Sequence, residues 1–153
     1  MVTVEEFNRS IEQLYQNDFV LVNLNDLIQK DEQGNLSFNG LALPEGKKPL
    51  VLSQDDVSYY EYMDNSGFPS RLVVSNNNEI KNVYKENDKE EIGDFDMVPL
   101  IDAFVKKHPD FSYRGAKGTL ALTGYNGVLG YRTSKSQYGD NEKTKKRSKK
   151  LKK

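Results

Sequence analysis

The chain has 153 residues, enough for one domain with a single buried core, and its 36% hydrophobic and 29% charged side chains make a globular protein on the polar side. It has no cysteine, which excludes disulfides, thiolate metal sites and thiol catalysis. The formal charge of −1 hides a division: residues 143–153 hold eight of the 22 basic side chains and none of the 23 acidic ones, leaving 14 basic against 23 acidic elsewhere. An acidic body with a basic tail is not the footprint of a nucleic-acid-binding face, and no apolar run approaches the roughly 20 residues that cross a bilayer.

In chain order, Thr3 and Glu6 have the spacing of a capping box, in which each side chain takes a free backbone N–H at a helix start. Phe7, Ile11, Leu14 and Tyr15 follow at helical spacing, so one face of that helix is apolar. No basic-then-apolar export signal precedes it, and any such signal is expected upstream of Met1. Residues 19–22 read as a short strand, Asn25 as the cap of a second short helix carrying Leu27 and Ile28, and Gly34-Asn35 as a turn.

Leu50, Val51 and Leu52 form a continuous apolar run too short for an ordinary helix, and the pattern predicts a strand buried on both faces. That run leads to the acidic pair Asp55-Asp56, at the strand end where α/β and barrel enzymes gather their chemistry. Residues 58–93 are rich in Tyr, Asn and acidic side chains. They predict a hairpin, with strands at 72–74 and 80–84 around Asn76-Asn77-Asn78, read as an insertion without a core of its own. A helix is predicted from Asp96, with Met97, Leu100, Ile101, Phe104 and Val105 as its buried stripe and Pro109 as its stop. His108, the only histidine, reads as a cation at the C-terminus of that helix. Residues 116–123 read as another buried strand, and Gly124, Gly127 and Gly130 punctuate a loop carrying Tyr125 and Tyr131. The basic tail has one apolar side chain, Leu151, too little to anchor a helix by itself.

The order of these pieces resembles the N-terminal part of polysaccharide deacetylase (NodB-homology) domains. TVEEFNRSIEQLYQNDFVLVNLNDL is similar to the helix–strand–helix that leads into such domains, and LPEGKKPLVLSQDD resembles the first motif, usually Thr-Phe-Asp-Asp-Gly. MVPLIDAFVKKHPDFSYRGAKGTLALTG looks like the following helix and second strand. Ser53 and Gln54 stand where Thr-Phe is usual, and Val57 where Gly is usual. The His-x-x-x-His motif is absent, and His108 precedes the second strand. The resemblance therefore implies an α/β fold. It would be a truncated, partial (β/α) barrel with the tyrosine-rich hairpin insertion, ending before the histidine motif, the tail at 143–153 opening the next helix.

The same resemblance implies a metal-dependent hydrolase that removes N-acetyl groups from polysaccharide, incomplete and inactive as this fragment. Asp56 would be the carboxylate ligand of a divalent metal, expected to be zinc, whose two histidine ligands lie beyond residue 153. Asp55 would be the catalytic base that takes a proton from the attacking water. An N-acetylated glycan would be the partner, with no nucleic acid, in a bacterial cell envelope or outside the cell. Tyr59, Tyr60 and Tyr62 could stack on a sugar ring or pack the insertion, and Arg114 and Arg132 could steady substrate or remain solvated. Read from the residues alone, Asp55-Asp56 also fits a capped turn after a strand. Two other functions stay open: a noncatalytic carbohydrate-binding or envelope-interaction protein on the same fold and, ranked last, a nucleic-acid binder acting through the basic tail.

Overall fold

A computed structural model describes residues 2–87 and 89–151; Asp88 of the expected insertion and Lys152 and Lys153 of the basic tail lie outside the described residues. The chain is mixed α/β with four small sheets and, among the described residues, no closed barrel. It divides into two units, Met1–Ser53 with Leu100–Thr119, and Gln54–Pro99 with Leu120–Lys153.

The first unit opens on helix α1 (Val4–Gln16), where the capping box is complete: Thr3 Oγ1 accepts the Glu6 N–H and the Glu6 carboxylate accepts the Thr3 N–H. Its Ile11 is buried, and strand β1 (Phe19–Leu21) follows. The short helix α2 (Leu24–Leu27) starts two residues earlier than expected. Asn23, not Asn25, is its cap residue, and no side-chain cap hydrogen bond forms there. Ile28 leaves the helix for strand β2 (Ile28–Lys30), which pairs antiparallel with β3 (Leu36–Phe38). Asp31 closes the turn between them by accepting the Asn35 N–H at 2.7 Å.

Strand β4 (Lys48–Leu50) pairs parallel with β1, Leu21 opposite Leu50. The expectation of a strand at 50–52 buried on both faces is corrected here. The strand ends at Leu50, Val51 and Leu52 are only half-buried, and strand β5 (Ser53–Gln54) is two residues long. With one partner strand apiece, β4 and β5 have no sheet wide enough to cover both faces.

Three further β-strands precede the long helix: β6 (Pro69–Val74), β7 (Ile80–Glu86) and β8 (Lys89–Gly93), an antiparallel sheet in that order. The predicted hairpin is β6–β7, turning through Asn78 with positive φ. The third strand was not foreseen, because KEEIG lacks the alternating apolar pattern and forms by pairing with β7. Helix α3 (Met97–Lys107) buries Pro99, Leu100 and Ile101. From Leu100 onward it belongs to the first unit, where Phe104 meets Phe111 edge-on at 5.2 Å and Phe111 is wholly buried. His108, half-buried at the end of the helix, packs its ring on Tyr15 and Phe104 at 4.5 and 4.7 Å and so joins this aromatic cluster.

The strand expected at 116–123 is also corrected: only β9 (Thr119–Leu120) forms, both residues exposed, with Ala116 the one fully buried residue of the stretch. Its sole partner is the two-residue β5, so there is no ladder to extend.

In the second unit Val57, Tyr59 and Leu72 form a core on which Ile80, Val98 and Leu129 pack. The tyrosine-rich segment therefore shares a core with residues on both sides of it in sequence. Helices α4 (Lys135–Tyr138) and α5 (Glu142–Leu151) end the described chain. Asn141 caps α5 by accepting the Thr144 N–H at 3.0 Å. The basic tail is anchored less by Leu151 than by polar side chains: Thr144 is buried, and the Arg147 guanidinium lies 5.5 Å over the Tyr138 ring. Among the described residues no helix is long and apolar enough to cross a membrane.

Candidate functional site

Asp55 and Asp56 follow β5 directly, and both line a cavity of about 230 Å³ in the second unit. Its other polar walls come from Gln54 and Asp96, and its aromatic walls from Tyr59, Tyr60, Tyr62 and Phe68. The backbone reaches this position by an unusual route. Asp56 and Tyr59 both have positive φ, 53° and 49°. Asp tolerates that region, whereas a bulky tyrosine there is strained by an amount of order 1–3 kcal/mol, which surrounding contacts must offset.

Those contacts are hydrogen bonds. The Val57 N–H donates to the Ala121 carbonyl at 3.3 Å and the Ala121 N–H donates to the Gln54 carbonyl at 2.9 Å, so residues 120–123 brace the turn. Leu129 and Gly130 donate to the Val57 and Ser58 carbonyls at 3.1 Å, and Leu72 N–H donates to the Leu129 carbonyl, tying the glycine loop between the turn and β6. Gly130 has to be glycine: a Cβ there would stand 2.2 Å from the Ser70 carbonyl oxygen, and its φ is +83°. Arg132 completes the clamp, donating from Nη1 to the Tyr59 carbonyl at 2.6 Å with its other nitrogen 3.5 Å from Asp64.

The side chains beneath the cavity form two polar groups. In the first, the Tyr60 hydroxyl donates to Asp56 Oδ1 at 2.6 Å and lies 3.0 Å from Thr123 Oγ1; the carboxylate beside it raises the tyrosine's pKa, holding it as a neutral donor. In the second, Asp96 Oδ2 accepts from the Tyr59 hydroxyl and from Asn82 Nδ2, and Oδ1 accepts the Val98 N–H at the start of α3. Burial pushes the Asp96 carboxyl above its ordinary value, opposed by these hydrogen bonds. Burial, then the Asp96 charge, raises Tyr59 as well. Asn82, with no exposed surface, is the hub: its Oδ1 also accepts the Phe95 and Asp96 N–H groups.

Of the residues singled out from sequence, Asp55, Asp56, Tyr59 and Tyr60 come together at one cavity. Tyr59 and Tyr60 are 8% and 9% exposed, with both hydroxyls committed to carboxylates inside the protein. Arg132 is near them as a backbone clamp on Tyr59. Arg114 belongs to the first unit, exposed, its guanidinium 4.9 Å over the Tyr113 ring. Three neighbours were not anticipated: Asp96, Asn82 and Gln54, whose side-chain oxygen Oε1 is buried without a hydrogen-bond partner. Asp96 had a signal, as an acidic residue just before a helix, but nothing local to it points toward Tyr59.

The two adjacent carboxylates fit a divalent metal as part of a ligand set, since hard oxygen donors at a cavity wall suit such an ion. No group of three or more His, Cys, Asp or Glu able to hold a metal occurs among the described residues. No family model, no curated protein and no solved structure matches the chain.

Proposed function

We propose that this chain carries the carboxylate half of a metal-dependent hydrolase of the polysaccharide deacetylase kind, on a partial barrel, removing N-acetyl groups from a bacterial envelope glycan. The observation that supports the reading is the acidic pair after β5, lining a cavity and held in a strained turn braced from three segments. Amide hydrolysis joins water to the acetyl carbonyl and breaks the C–N bond, giving acetate and the free amine. Asp55 takes the proton from the attacking water, and the departing nitrogen gains one. Asp56 is the metal-ligating carboxylate, its orientation fixed by the Tyr60 hydroxyl on Oδ1. A bound divalent metal would polarise the carbonyl and make the water more acidic. Among the described residues no group of three or more His, Cys, Asp or Glu is placed to hold that metal by itself.

The test measures acetate released from an N-acetylglucosamine oligomer, with zinc present, by the complete gene product, including whatever follows Lys153. Asp55→Asn is expected to lower kcat by about 100-fold or more while zinc still binds, and Asp56→Ala to weaken zinc about 10- to 100-fold. Equal acetate release by the wild type and Asp55→Asn rejects Asp55 as the base. The tyrosines that line the cavity favour one second reading, a noncatalytic carbohydrate-binding protein. It predicts oligosaccharide binding with no acetate from any form of the complete protein.

A further inference from the structure

The tyrosines around the acidic pair differ in what they are free to do. Tyr59 and Tyr60 are buried with committed hydroxyls. Tyr62 is 74% exposed, although one face of its ring lies on Tyr60 in a parallel stack, centroids 5.5 Å apart and planes within 12°. Tyr125, 55% exposed, meets Tyr60 edge-on at 5.5 Å. These two rings are exposed beside a carboxylate-lined cavity, where they add little to any core.

We propose that the outer face of Tyr62, with Tyr125 beside it, is the platform for a neutral pyranose ring of an N-acetylated chain, the neighbouring ring of that chain occupying the Asp55–Asp56 cavity. This inference rests on the function proposed above and names how that site selects its substrate. Four observations carry it.

The platform is rigid: Tyr62 stacks on Tyr60, whose hydroxyl is tied to Asp56 and Thr123, so platform and acidic pair share one anchored residue. The chemistry matches a sugar, whose C–H face suits the negative face of an aromatic ring and whose hydroxyl and amide donors suit carboxylate acceptors. The size matches as well. About 230 Å³ is below the 300 Å³ or so where drug-sized sites begin, so the cavity takes one ring or less and further rings must extend past its wall, where the exposed face of Tyr62 is. Without a bound cation the charge makes the selection: Asp55, Asp56 and Asp96 line the cavity and, among the described residues, no basic side chain does, so the metal-free site repels a glycan bearing carboxylates.

The experiment titrates the full protein, freed of divalent metal by a chelator, with a tetramer of N-acetylglucosamine and with an oligomer of equal length alternating N-acetylglucosamine and glucuronate. Binding is read by calorimetry and by tyrosine emission, which no tryptophan obscures in this chain. The neutral tetramer binds, and the anionic oligomer binds about tenfold more weakly at low salt. Tyr62→Ala weakens the tetramer about fivefold, as expected for loss of one stacking face, Tyr62→Phe stays within about twofold, and neither shifts the melting temperature, because the ring is exposed. Unchanged affinity in Tyr62→Ala, equal affinity for the two oligomers, or no binding of the tetramer overturns the platform. Weakened binding in Tyr62→Ala with no acetate released by the wild type leaves the platform standing and removes the proposed reaction. Acetate release whose KM is indifferent to Tyr62→Ala does the reverse.

Discussion

The two units are held together by different physics. In the first, apolar periodicity suffices: α1 buries Ile11, α3 buries Leu100 and Ile101, and Tyr15, Phe104 and Phe111 interlock edge-to-face. In the second, the apolar cluster of Val57, Tyr59 and Leu72 is small, and order comes from side chains bonded to backbone, with Asn82, Asn126 and Arg132 as hubs. Backbone strain divides the same way. Among the described non-glycine residues with positive φ, Asp18 and Arg114 lie in the first unit, and Asp56, Tyr59, Asn65, Asn78, Asn87, Asn126 and Leu129 in the second. The unit with the candidate site is the one that gives up regular structure to aim its side chains, a trade typical of functional loops.

Substitutions can break or sharpen this contrast. The largest expected effect is in the first unit, where Phe111→Ala empties a wholly buried ring site and costs about 3–5 kcal/mol of unfolding free energy, measured by urea titration. Next comes the polar hub. Asn82→Ala leaves the Phe95 and Asp96 N–H groups without their acceptor, at a cost of about 2–3 kcal/mol. An effect under about 0.5 kcal/mol there would show that the second unit does not depend on its polar network. Thr3→Ala removes half of the α1 capping box and costs about 1 kcal/mol, seen in the same titration.

The smallest effect is a pH dependence. The folded-state pKa of Asp96 is raised above 3.8 by burial, so its protonated form is favoured by folding. The resulting stability is full below the unfolded value and is lost as pH rises through the folded one. Compared with Asp96→Asn, the wild type should lose stability as pH rises above the ordinary carboxylate value. A constant difference between the two as pH rises would contradict the raised value.

What could be read from sequence follows the same division. The capping box at Thr3 and Glu6, the β1 strand, the Asn76–Asn78 turn and the α3 stripe are local patterns, each encoded within a few neighbouring residues. The acidic pair stood out by its composition, but the buried strand expected before it does not form, and the pair follows the two-residue β5 instead; its cavity is formed in part by residues beside it in sequence. The failures are non-local. Residues 116–123 have strand composition but one two-residue partner, so only Thr119–Leu120 pairs. Strand β8 has poor composition and exists because β7 offers an edge. The roles of Asn82, Arg132 and Asp96 depend on partners 13 to 73 residues away, at a distance no spacing rule covers.

The most direct measurement on the acidic pair compares zinc-supplemented acetate production from an N-acetylglucosamine oligomer by the whole protein with that of its Asp55→Asn variant, at matched melting temperatures. Production that falls by two orders of magnitude or so in the variant is the predicted result. Undiminished production would contradict the assignment of proton transfer to Asp55.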